Sequence, residues 1–105
     1  MPTTLTLDSM RGDDGKVVLI AAGEIDLSNI DAFSQALDAA MAEAGSGGAL
    51  TVDMRAVEYL DSAAINVLFP HADHIHLIVH PLLTRVFTIS GLDELTTIES
   101  APPVE

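Results

Sequence analysis

The sequence predicts a single α/β domain, with a mixed sheet of four to five strands and three or so crossover helices. Three observations carry this. At 105 residues the chain has room for one hydrophobic core. It is 49% hydrophobic but only 4% aromatic and lacks Trp, so that core is assembled from Leu, Ile, Val, Ala and Met. Segments with the two-residue period of strands alternate with segments that repeat every three or four residues, as helices do.

Leu5 and Leu7 alternate with Thr4 and Thr6 as in a half-buried strand, and Arg11-Gly12-Asp13-Asp14-Gly15 supplies turn formers, so the chain opens with a hairpin. Residues 17–22 are continuously apolar and rich in β-branched side chains, the pattern of a central strand covered on both faces. The period then changes. Ile30, Phe33, Ala36, Leu37, Ala40, Met41 and Ala44 mark an amphipathic helix, and Gly45-Ser46-Gly47-Gly48 gives it a flexible exit. Ser28, with Asp31 three positions on, forms a variant capping box at its start.

Leu50, Val52 and Met54 alternate with Thr51 and Asp53 as a further strand, and a second helix is predicted over residues 62–69, stopped by Pro70. Residues 75–79 read as a strand. Pro81 suits a first helical position, and Leu82, Leu83, Val86, Phe87 and Ile89 give the third helix an apolar face before Gly91 ends it. A short last strand is expected over residues 95–98, so the domain spans residues 1–100 and residues 101–105 form a flexible C-terminal tail.

Composition narrows the function. Without cysteine the chain has no disulfide, thiolate metal site or cysteine nucleophile. Four basic residues face sixteen acidic ones, and the net charge of -12 repels phosphate backbones, so no nucleic-acid partner is expected. No apolar run reaches the roughly 20 residues of a membrane span, and the first ten residues do not resemble a secretory leader. A cytoplasmic protein with no membrane partner is the expectation. His71, His74, His76 and His80, with Asp73, invite a zinc or nickel reading, but the position of His71 beyond Pro70 leaves its geometry unconstrained, and ordinary surface or edge histidines are the preferred account. No glycine-rich loop with a lysine cradles phosphate and no histidine is placed by spacing beside Ser62. The chain is therefore read as a binding module, not an enzyme, with no metal and no cofactor.

Four short motifs in order carry a family resemblance: Gly23-Glu24-Ile25-Asp26 after a buried strand, Asp53-Met54 at the end of the next, Asp61-Ser62-Ala63-Ala64-Ile65 opening a helix, and Ser90-Gly91-Leu92-Asp93 near the end. Together, over about 90 residues, they resemble a STAS domain, and more narrowly the bacterial anti-sigma factor antagonists. The resemblance implies a STAS-like α/β fold and a regulator that binds an anti-sigma factor of the ATP-binding serine kinase type, releases the sigma factor, and is switched off by phosphorylation of Ser62. It also implies a contact surface of Glu24, Ile25, Asp26, Leu27 and Ser28 together with Asp61, Ser62, Ala63, Ala64 and Asn66.

Residue physics bears on that role independently. A serine at a helix start lies near the surface, where free amides tolerate a dianion, while Asp61 is suited to cap the helix and hold the loop that presents Ser62. Spacing alone reads Ser62 as a plain cap, and Glu24 and Asp26 as solvated acids. The chain departs from the family pattern at Ala63-Ala64, where many members carry glycine second, and in residues 68–75, shorter than usual by roughly ten residues, or about 15 Å of helix. The second helix is thus expected to be short. The basic residues common in that segment are absent, and its loss leaves apolar sheet surface for another protein to cover. Alternatives are a constitutive STAS scaffold or subunit in a stress-sensing or lipid-transport complex, and a small-molecule sensor, each without phosphorylation. A homodimer is left open.

Overall fold

Five strands, β1 (Leu5–Arg11), β2 (Val17–Ile25), β3 (Leu50–Leu60), β4 (Ile75–Val79) and β5 (Thr97–Ser100), form one sheet in the order β1-β2-β3-β4-β5. The structure is a computed structural model and describes residues 4–12, 16–45, 50–94 and 96–100. The expected turn residues 13–15, the glycine-rich exit at 46–48 and the tail at 101–105 lie outside these. The opening hairpin is antiparallel and every later pairing is parallel, which makes the sheet mixed as expected. Helices α1 (Ile30–Ala44), α2 (Ser62–Leu68) and α3 (Thr84–Ser90) are the crossovers.

The strand order decides where the core lies. Each parallel crossover steps in the same direction across the sheet, and right-handed crossovers then place all three helices on one face. Burial agrees. Val17, Leu19 and Ala21 of β2, Leu50, Val52 and Met54 of β3, and Ile75, Leu77 and Val79 of β4 are buried beneath Phe33 and Leu37 of α1, Ile65 and Leu68 of α2, and Phe87 of α3. The alternate residues Val18, Ile20, Ala22, Thr51, His76 and Ile78 are only half-buried. The expectation that β2 is covered on both faces is therefore corrected: its continuous apolar run faces helices on one side and an uncovered sheet face on the other.

Other differences have local causes. Strand β3 runs on to Leu60 because two register shifts against β2 place Val57 and Leu60, three apart, both inward, and a strict alternation does not reveal that. Helix α2 is short, as expected, and Pro70 follows in a 3-10 turn, Phe69–His74, that leads directly into β4. The last strand lies two residues later than expected, with Leu95 outside the described residues. At Gly23 the backbone has φ 109°, and a Cβ there would sit 2.2 Å from the Thr4 carbonyl oxygen, so only glycine lets β1 pair this closely with the end of β2. No helix among the described residues is long and apolar enough to cross a membrane.

Candidate functional site

The carboxyl ends of the parallel strands bring together two segments that are 37 residues apart in sequence, counting from Glu24 to Asp61. The Asp61 amide donates to the Ile25 carbonyl at 3.2 Å, joining the 24–28 strip to the start of α2. The Asp61 carboxylate caps α2, accepting from the Ala63 amide at 2.9 Å, and this fixes the backbone that holds Ser62, which is exposed.

The strip itself is organised by a residue that the sequence reading passed over. Asn29 accepts from the Asp26 amide at 3.0 Å and donates its own side-chain amide to the Glu24 carbonyl at 2.9 Å. The Asp26 carboxylate accepts from the Ser28 amide at 2.8 Å and from its hydroxyl. These bonds displace the expected Ser28/Asp31 capping box. Asn29 is the N-cap of α1, yet its side chain is turned back to the strip and makes no capping bond. A run of Asp, Ser and Asn between a strand and a helix is a signal for such side-chain turns, and it was available in the sequence.

Two residues of the expected contact surface are corrected. Ile25 and Ala64 are fully buried, so they support the site from beneath and present no side chain to a partner. Glu24, Leu27, Ser28, Ser62 and Asn66 are exposed, and Asp26, Asp61 and Ala63 are partly so. Between α2 and α3 lies an open groove of about 450 Å³, lined mainly by Leu60, Ile65, Phe69, Val86 and Ile89, with Asp61, Ser62, Asn66 and Ser90 as its polar lining. The third helix, expected from Pro81, begins as a 3-10 turn, Pro81–Leu83, before α3, and the apolar face expected across the two is in fact two stripes. Leu83 and Phe87 enter the core, whereas Leu82, Val86 and Ile89 are 82%, 37% and 78% exposed and turn away from it. Their spacing of four and three is the signal that could have separated them in sequence. With Leu27 and Tyr59 they make five of the six large exposed hydrophobic residues described, all gathered at this end of the molecule or along α3.

A model of the Mlab-type STAS domain matches residues 9–97. The chain belongs to the STAS family. Among solved structures, an anti-sigma factor antagonist from Mycobacterium paratuberculosis is 26% identical, with 91% of this chain and 86% of that one covered at a TM-score of 0.81. The anti-sigma factor antagonist SpoIIAA in its unphosphorylated form shares the fold at 15% identity, covering 92% and 89% at a TM-score of 0.68. So does an uncharacterized protein of the DUF3478 family from Shewanella loihica, at 10% identity, 96% and 88% coverage and a TM-score of 0.64. No curated protein matches this chain.

The last STAS motif residues also serve the groove. Gly91 ends α3 in the left-handed conformation with φ 83°, Ser90 donates its hydroxyl to the Phe87 carbonyl at 2.8 Å, and Leu92 is buried, so the motif anchors the far wall of the groove. The histidines are dispersed in this STAS domain. His71 meets Asp38 of α1 at 3.5 Å, the Nδ1 of His80 accepts from the Leu82 amide at 3.1 Å, and His76 stands on the sheet face away from the helices. No group of three His, Cys, Asp or Glu among the described residues is placed to hold a metal ion.

Proposed function

We propose that this STAS domain is an anti-sigma factor antagonist that captures an anti-sigma factor of the ATP-binding serine kinase type, frees the sigma factor, and is switched off by phosphorylation of Ser62. The observation that supports it best is the position of exposed Ser62 on the lining of an open apolar groove, at the end of the molecule where exposed Leu27, Tyr59 and Ile89 also lie. Clustered exposed apolar side chains with polar neighbours are the ordinary composition of a protein-docking surface. In this reading Glu24, Asp26, Leu27 and Ser28 form one side of the contact and Asp61, Ser62, Ala63 and Asn66 the other. Phosphorylation brings a charge of about -2 to a contact that must shed water to form, next to Asp61, and so opposes docking without unfolding the domain. Such a regulator acts in the bacterial cytoplasm and has no catalytic role of its own.

The test is a parallel capture of native partners by the wild type and by Ser62→Glu, followed by incubation of the wild-type complex with ATP and mass spectrometry of Ser62. The expected result is an ATP-binding partner held only by the wild type, and phosphate on Ser62. One observation favours a second reading, a constitutive subunit in which Ser62 is never modified: the matching family model is the Mlab type, and Ala63-Ala64 stands where antagonists often carry glycine. That reading takes over if the same partner binds both forms and Ser62 stays unmodified.

A further inference from the structure

The sheet face opposite the helices is more apolar than a face that only meets water. In a two-layer fold the outer positions of each strand are normally polar. Here β2 carries only apolar side chains at them, Val18, Ile20 and Ala22, while on β3 and β4 Ala56 and Ile78 stand among polar Thr51, Asp53 and His76. Val18, Ile20 and Ile78, with exposed Met10, line a hollow of about 380 Å³ whose two cations, Arg11 and Arg55, are each paired with a carboxylate of this chain, Glu43 and Asp53. Strand β2 has the sequence of a strand covered on both sides, and this fold covers one.

The charges on that face define its partner. Register places Asp8, Ile20, Asp53, Ile78 and Glu99 in one continuous row across all five strands. Asp53 is held by Arg55 in a two-pronged pair at 2.8 to 3.2 Å and Glu99 adds to the field at that guanidinium, so two carboxylates share one cation, and both ends of the row, Asp8 and Glu99, are acidic. A second copy is a poor occupant, because each chain carries -12. Four strand spacings of about 4.8 Å separate Asp8 from Glu99 by roughly 19 Å. A helix about 10–12 Å across leaves roughly 4 Å on either side, a gap that flanking Lys or Arg side chains span.

We propose that the open sheet face is a second docking surface, for an amphipathic helix of another protein with an apolar stripe and Lys or Arg along both flanks. It is independent of Ser62, and its fate is separable from that of the switch.

The probe is a synthetic amphipathic Leu/Lys helix, added to the full chain with methyl-labelled Ile and Val and followed by NMR. A peptide of the same composition in scrambled order and a Leu/Glu helix are the controls. The expected result is saturable shifts at Val18, Ile20 and Ile78 with the Leu/Lys helix alone, and affinity about tenfold weaker in Asp8→Lys/Glu99→Lys, whose two sites are exposed and whose retained amide spectrum reports folding. Shifts confined to the groove residues Ile65, Val86 and Ile89, equal binding by the scrambled peptide, or unchanged affinity in the folded double variant would each overturn the proposal. So would sedimentation showing the chain paired with itself through this face.

Discussion

The Asn29 side chain makes two hydrogen bonds and no capping bond, and both go to the strip that precedes α1. Replacing it removes both bonds, the one accepted from the Asp26 amide and the one donated to the Glu24 carbonyl. Asn29→Ala is expected to cost about 1–2 kcal/mol in urea unfolding, the worth of two such bonds. It is also expected to weaken partner capture although Asn29 itself is only half exposed, because Glu24, Asp26 and Ser28 lose their fixed arrangement. A capture assay on the folded variant checks the second half. Of the candidate residues, Asp61 and Ser62 were legible in sequence, since a serine after an aspartate at the start of a periodic run reads as a helix entrance. Asn29 is legible only through the run of Asp, Ser and Asn that favours side-chain turns, because its bonds run backward and a forward capping pattern does not contain them.

Helix α3 divides its apolar residues between two tasks, and stability and binding should divide with them. Phe87 is fully buried, and Phe87→Ala is expected to destabilise the fold by about 3–5 kcal/mol through lost packing and the cavity left behind. Ile89 is 78% exposed, and Ile89→Ser is expected to change stability by no more than about 0.5 kcal/mol while reducing partner affinity about tenfold or more. Denaturant midpoints and a binding titration on the two variants separate these outcomes. Hydrophobicity alone merged the stripes in sequence, because Leu82-Leu83 and Val86-Phe87 are adjacent pairs and a helix of seven residues is too short for its inward direction to be fixed by period. The core supplied that direction, through Leu83 and Phe87.

The whole molecule carries sixteen acidic and four basic residues within principal extents of 35 × 31 × 28 Å, so its folded state works against its own charge. Salt should relieve this. Moving from about 10 mM to about 150 mM salt shortens the screening length from roughly 30 Å to roughly 8 Å. The melting temperature is expected to rise by a few degrees, on the order of the 4–8 °C that corresponds to 1 kcal/mol in a domain this size, and a thermal melt at the two salt levels checks it. At this scale most of the fold was legible: the alternation of periods gave strands, helices and their order. What it could not give was the number of layers. A continuous apolar run such as residues 17–22 records that both sides of a strand avoid water, without recording whether the second cover is the same chain or another.

The strand order has a consequence for how the chain is born. Every strand after β1 lies beside the strand that precedes it in sequence, so each finds an edge already made when it is synthesised. The β1–β2 hairpin can close first, and each later helix and strand can be laid down on an edge already built. The growing sheet would thus expose one unfinished edge at a time, and that edge moves steadily from β2 toward β5.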